Sequence, residues 1–224
     1  MARKTKEGAE ETRACILKAA RSLFSTQGVS GTTLTDVAKM AGVTRGAIYW
    51  HFDNKEDLLM SLRDEAVLPY EQIFRSGGRV DEPDPLGKLQ AVAHAILTDL
   101  ADNAATRQVF QIWLDRGRLG VADRKETPLE REERRMEAVQ QTERLLRNAV
   151  RQGQLPLDFD VRLGAVAVFT FIDGMVMAML LVPATCNIKD DIIRITKAFF
   201  YTLHAVNNPY FTRTDKPEQL AEEG

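Results

Sequence analysis

At 224 residues with 44% hydrophobic side chains, the chain can bury a substantial core, which excludes disorder and suits one large helical domain or a small domain joined to a larger one. A formal charge of −2 excludes attachment to nucleic acid by bulk positive charge, so any such role must come from local geometry. Residues 1–57 carry nine Lys and Arg against seven Asp and Glu, whereas residues 58–224 carry 21 against 25. Two distant cysteines, Cys15 and Cys186, make no disulfide framework, and the polar, basic opening lacks a signal-peptide pattern; a cytoplasmic protein is expected.

Every long segment has helical periodicity, and none shows the sustained alternation of a strand. The first helix is expected from about Glu10 to Gln27, with Ile16, Leu17, Ala20, Leu23 and Phe24 on one stripe and Gly28 at its end. Cys15, beside Ile16, reads as inert packing. Ahead of this helix Arg3, Lys4 and Lys6 form a basic arm, either laid along phosphates or simply solvated. Leu34, Val37, Ala38 and Ala41 recur at i, i+3, i+4 and i+7 in a second, short helix. Thr33, with Asp36 three residues on, resembles a capping box, and Gly42 supplies the turn that ends the helix. Thr44 can cap a third helix whose inward residues, Ile48 and Phe52, lie four apart. Its other faces carry Arg45, Gly46, Ala47, Tyr49, Trp50 and His51, more aromatic and basic than a solvated face requires. The pair reads as a helix-turn-helix whose second helix enters the major groove of DNA.

Asp53 and Asn54 can cap a fourth helix from about Lys55 to Arg75, which Pro69 should kink or break. Gly77, Gly78, Pro83 and Pro85 mark the next connection. Asp84 then caps a helix with Pro85 in first position, running to about Asp102. A short helix from Ala104 to Arg116 stops at Gly117, and Thr127 with Glu130 resembles a capping box opening a long charged helix to Gly153. The segment Asp160 to Val182 is strongly apolar and closed by Pro183; Cys186, in the turn beyond, reads as exposed. In a last helix from about Lys189 to Val206, Ile192, Ile195, Ala198, Phe199, Thr202 and Leu203 form a seam suited to packing across a two-fold axis. From Asn207 the tail is polar and reads as loose.

The stretch Leu163 to Val182 is long enough for a membrane span, with Asp173 its single charge. Asp173 near the middle, Gly164, Gly174 and the lack of a one-sided basic flank favour a helix buried in a helical domain or a dimer interface, with no membrane contact. The expected fold class is all-α: an N-terminal three-helix helix-turn-helix DNA-binding domain over 1–57, a larger C-terminal helical ligand-binding and dimerisation domain over 58–206, and a polar tail over 207–224. His51, His94 and His204 do not cluster with Cys or carboxylates at metal-ligand spacing, and no GxSxG, phosphate loop or dinucleotide fingerprint occurs. No enzymatic activity, metal or cofactor is expected.

The Leu-Phe-x-x-x-Gly of Leu23 to Gly28, then Thr32, Thr33, Ala38, Gly42 and Val43, the run TRGAIYWHF from Thr44 to Phe52, and Lys55, Leu58 and Leu59 closely resemble the TetR family of bacterial transcriptional regulators. The run looks like the branch of AcrR-type repressors of multidrug efflux pumps. The opening RKTKE, the Arg-x-Gly-Gln-Leu of Arg151 to Leu155 and the pair Asp173-Gly174 extend the similarity into the C-terminal body. The resemblance implies a homodimer bound to a palindromic operator, released when a small molecule fills the C-terminal domain, with a neighbouring efflux transporter as the controlled gene.

On the third helix Arg45 can contact the O6 and N7 of guanine, worth roughly 1–3 kcal/mol of discrimination. Gly46 lets the helix start approach the DNA backbone, and Ala47 shares that outward set. Tyr49, Trp50 and His51 suit phosphates and thymine methyls; Thr33, Thr35 and Thr44 can donate hydroxyls to phosphates, and Lys55 adds a charge. Similarity to drug-binding family members implies a pocket at Val92, Ile96, Phe110, Trp113, Phe169, Ile172 and Asp173. Large apolar walls with one charge suit a hydrophobic or cationic small molecule. Asp173 is otherwise a partly solvated residue or one bonded to Arg116 or Arg118. Phe110 and Leu114 replace Asn or His residues of some relatives, which makes the cavity more apolar or smaller. Two other readings stay open: an activator of the same architecture, and a small-molecule-binding helical dimer without operator recognition.

Overall fold

The computed structural model describes residues 2–77, 82–118, 128–181, 188–204 and 211. Among the described residues the elements are helices: α1 (Ala2–Gly31), α2 (Leu34–Ala41), α3 (Arg45–His51), α4 (Lys55–Gly77), α5 (Pro85–Asp102), α6 (Ala104–Arg118), α7 (Pro128–Arg151), α8 (Val161–Leu181) and α9 (Ile192–His204). A 3-10 turn, Ile188–Asp191, leads into α9. The chain packs as two compact units, Met1–Pro69 with Asp99–Glu130, and Tyr70–Thr98 with Arg131–Gly224. The expected Thr127 cap and Cys186 lie outside the described residues, as do the side chains of Arg116 and Arg118.

In the first unit the stripe of α1 is buried as its spacing predicts: Ile16, Leu17, Ala20, Leu23 and Phe24 meet Val37, Ala38, Ile48, Phe52, Leu58, Leu59 and Leu62. Val109 and Ile112 of α6 enter the same core, with Trp113 packed against it. The helix α1 begins eight residues earlier than expected, at Ala2. The polar opening lacks a hydrophobic stripe, but its Ala, Arg, Lys and Glu residues are good helix formers, and propensity carries the helix outward. At its other end Gly28 takes φ 75° and ψ 160°, a kink open to glycine, and one further turn follows. Cys15 is exposed rather than packed, because it falls one position off the buried stripe begun by Ile16.

Pro69 neither breaks nor ends α4, which runs unbroken from Lys55 to Gly77. A proline in mid-helix removes one i→i−4 hydrogen bond, and here the intact turns on either side hold the helix through that loss. The first of the two segments that make up the first unit ends at this residue. At the other end of α4 Asn54 Oδ1 accepts from the amides of Glu56 (2.9 Å) and Asp57 (3.0 Å), while Asp57 Oδ2 accepts from the Asp53 amide (3.0 Å). Between α5 and α6, Thr106 donates its hydroxyl to Asp99 Oδ2 (2.6 Å), and Arg107 donates to the carbonyls of Leu100 and Ala101.

The core of the second unit comprises Leu86, Leu89 and Ala93 of α5, Leu145, Leu146 and Ala149 of α7, Ala165 and Val168 of α8, and Phe200 and Leu203 of α9. Gln154, just beyond α7, donates to Asp84 Oδ1 (2.6 Å) and accepts from the Leu86 amide (3.2 Å), so one side chain caps the start of α5 across the unit. Gly164 is obligatory because any Cβ there would run into the Phe159 ring. Phe159 also stacks on Phe211 (centroids 5.7 Å apart), and the Asp160 amide donates to the Phe211 carbonyl (2.6 Å). Phe211 is thus held at the start of α8, and the rest of the tail expected to be loose lies outside the described residues.

The expected seam on α9 divides between two faces. Ile192 and Leu203 are buried in the unit's own core, Ile195 and Phe199 are half-buried, and Ala198 and Thr202 are exposed. The outward apolar face instead carries Ile193 (50% exposed) and Tyr201 (75%). On α8 Leu163, Val166 and Leu181 are exposed as well. This helix is long and apolar enough to cross a membrane by length and composition, and only 22% of its most apolar 18-residue window is buried.

Candidate nucleic-acid interface

The site begins with three caps that fix short helices in place. Thr33 Oγ1 accepts from the Asp36 amide (3.2 Å), and Asp36 Oδ2 accepts from the Thr33 amide (3.0 Å), a reciprocal box at the start of α2. The Thr33 hydroxyl and amide hold the Asp36 carboxyl below its ordinary range. Gly42 closes α2 in the left-handed region at φ 69°. Two residues later Thr44 Oγ1 accepts from the Ala47 amide (3.2 Å) and starts α3.

On α3, Ile48 is 0% exposed and Phe52, at its C-cap, is 2% exposed, the inward pair expected from their four-residue spacing. Tyr49 is 46% exposed and Trp50 73%, so both aromatics face outward. Arg45 and Gly46 are exposed beside them, as are Thr33, Thr35 and Thr44; Ala47 and His51 are half-buried. Arg45 Nη2 donates to the Tyr49 hydroxyl (3.1 Å), and its guanidinium lies 5.5 Å from the Tyr49 ring centroid. A Cβ on Gly46 would meet only Thr44 Oγ1, at an ordinary 3.8 Å, so nothing inside the protein demands glycine there.

His51 meets the Trp50 ring edge-on, with centroids 4.5 Å apart. Desolvation, and then the positive charge of Arg13, press its pKa below the ordinary 6.5. Arg13 was not singled out from the sequence. It reaches from α1 over the Phe52 ring (5.3 Å) and lies 3.9 Å from Glu65 of α4. Only the fold brings it to the recognition helix, since nothing in its local spacing points to α3.

Lys55 is turned toward the protein. Its Nζ donates to the carbonyls of Val29 (2.7 Å) and Thr32 (3.1 Å), tying the start of α4 to the corner just before Thr33. The remaining third N–H is what the ammonium can still offer elsewhere. Of the residues expected to form a pocket, Val92 is fully buried in α5, and Ile96, Phe169, Ile172 and Asp173 are half-buried in the second unit. Phe110 and Trp113 are half-buried and belong to the first unit, where Trp113 packs against the core.

The helical fold and the outward basic-aromatic face of α3 define a helix-turn-helix DNA-binding protein. Residues 16–62 match the family described as bacterial regulatory proteins, tetR family. The chain is 38% identical over 192 residues to the HTH-type transcriptional regulator TtgR of Pseudomonas putida, covering 86% of this chain and 91% of TtgR. It is 31% identical over 223 residues to the HTH-type transcriptional regulator AcrR of Shigella flexneri, covering 93% and 98%. Among solved structures, SmeT, the repressor of the Stenotrophomonas maltophilia multidrug efflux pump SmeDEF, superposes with a TM-score of 0.68 at 28% identity over 84% of this chain and 91% of SmeT. A SmeT–triclosan complex superposes with a TM-score of 0.71 at 28% identity, covering 94% and 99%. The chain belongs to the TetR family of transcriptional regulators, and it is a DNA-binding protein rather than an enzyme.

Proposed function

We propose that the protein is a cytoplasmic, homodimeric repressor that binds a palindromic operator, controls a multidrug efflux system and leaves DNA when a hydrophobic or cationic small molecule binds. The observation that carries this reading is the split of α3, with Ile48 and Phe52 sealed in the core and Arg45, Tyr49 and Trp50 turned outward. Residues 1–57 form the DNA-reading domain, residues 58–206 the ligand-binding and dimerisation domain, and 207–224 a tail. Arg45 reads a base edge; Thr33, Thr35, Thr44, Tyr49, Trp50 and His51 meet phosphates and thymine methyls; Gly46 and Ala47 permit close approach. Lys55 supports them from behind by fixing the corner before Thr33.

Support for a dimer comes from the apolar surface that a single chain leaves open on α8 and α9 at Leu163, Val166, Ile193 and Tyr201. In such a dimer the two recognition helices sit about one DNA turn, roughly 34–36 Å, apart. The inducer lies in the helical body, and within the second unit the residues assigned to it are Val92, Ile96, Phe169, Ile172 and Asp173. Its differential affinity for the DNA-incompetent state is transmitted along α4; a coupling of about 1–3 kcal/mol weakens operator binding some 5- to 150-fold. Similarity to SmeT, the repressor of a multidrug efflux pump, and to its complex with triclosan favours this assignment.

Fluorescence anisotropy with a duplex from upstream of the chain's own coding sequence tests it. Wild-type protein should prefer that duplex to a scrambled one, and Arg45→Ala should lose most of the preference while remaining folded. Equal binding of wild-type protein to both duplexes would overturn the reading.

A further inference from the structure

The pair formed by Arg45 and Tyr49 carries more than the contact list of a recognition helix requires. They stand four apart on α3, on the same exposed face, and meet twice: Arg45 Nη2 donates to the Tyr49 hydroxyl at 3.1 Å, and the guanidinium lies 5.5 Å from the ring centroid. Tyr49 contributes nothing to the core, which Ile48 and Phe52 complete beneath it. An exposed arginine otherwise samples many rotamers and loses that freedom on meeting a base. Here one of its five N–H groups is engaged, and the others stay available for a base edge. The Tyr49 hydroxyl accepts from Arg45 and keeps its own proton to donate onward.

We infer that Tyr49 is a positioning residue, whose hydroxyl and ring hold the Arg45 guanidinium ready for a base edge and so set how sharply the protein discriminates one base pair. The inference rests on Arg45 as a base reader and adds to it the element that makes the reading selective. Tyr49→Phe is the informative variant, because it keeps the ring and removes only the hydroxyl.

Two measurements on the full-length protein decide the matter. In the free protein, relaxation of the Arg45 Nε–H group should report greater mobility in Tyr49→Phe than in wild type. In anisotropy titrations against the upstream duplex and its single-base-pair variants, Tyr49→Phe should lose roughly two- to tenfold of discrimination at the base pair where Arg45→Ala loses it. Combined with Arg45→Ala, it should add nothing there. The inference is overturned if Arg45 is as rigid in Tyr49→Phe as in wild type, or if Tyr49→Phe weakens all duplexes alike with no loss of discrimination, the behaviour of a phosphate contact alone. Full discrimination by Arg45→Ala at every base pair removes the base reader and this inference together. A loss at Arg45→Ala with none at Tyr49→Phe removes the inference alone.

Discussion

Replacing Lys55 by Met separates its two roles, brace of the fold and ligand of a phosphate. The ammonium makes two charge-assisted hydrogen bonds, to Val29 O at 2.7 Å and Thr32 O at 3.1 Å. Such bonds contribute about 1.5–3 kcal/mol each when sheltered. Lys55 is half-buried, and water can replace part of what is lost, so the expected cost is about 2 kcal/mol for the pair rather than the full sum. For a chain of this size that corresponds to a fall in Tm of roughly 4–8 °C. Urea unfolding followed by the fluorescence of Trp113, which packs against the first unit's core, reads the loss where it occurs; a Trp50→Phe background removes the other tryptophan. Operator affinity should keep its dependence on salt, since no phosphate contact is removed. A midpoint equal to wild type, with a salt slope reduced by about 0.9, would instead make Lys55 a phosphate ligand and refute the bracing role.

Thr44→Ala removes the acceptor for the Ala47 amide and should destabilise the first unit by about 1 kcal/mol, seen as a lower urea midpoint. His51 should titrate below 6.5 by NMR, and Arg13→Gln should move its midpoint part of the way back up. Because its folded pKa is depressed, His51 contributes stability that is present above pH 6.5 and lost as pH falls through its folded pKa; a titration midpoint at or above 6.5 would contradict this. Ile193→Asp with Tyr201→Asp places charge on the open face of α9 and should give monomers by light scattering; an unchanged dimer mass would move the interface elsewhere.

Much of the DNA-reading unit was legible because its signals are local. Caps at Thr33 and Thr44, a glycine turn at Gly42 and the four-residue spacing of Ile48 and Phe52 each specify a helix end or face within a few residues. The inward course of Lys55 was not legible, since its partners Val29 and Thr32 lie 26 and 23 residues away. Arg13 escaped for the same reason. Pro69 left a kink and a break both open, and the 23-residue helix continues through it because one missing hydrogen bond is a local penalty. On α9 apolar residues occur around much of the helix, so periodicity alone could not say whether Ile192 or Ile193 faces the chain's own core. The assignment of α6 was hidden likewise, because Val109 and Ile112 find their partners on α1, far earlier in the sequence.

If the outward face of α3 lies close against a duplex, Gly46→Ala should reveal it. Inside the protein an added methyl meets only Thr44 Oγ1 at 3.8 Å, and exchanging glycine for alanine in a helix should stabilise the fold by roughly 0.5–1 kcal/mol. Against DNA the same methyl should cost about 1–3 kcal/mol, a five- to 150-fold loss of operator affinity in anisotropy titrations. A protein that is at least as stable as wild type but binds its operator more weakly is the predicted result. Undiminished affinity in Gly46→Ala would mean that this face of α3 does not lie against the duplex.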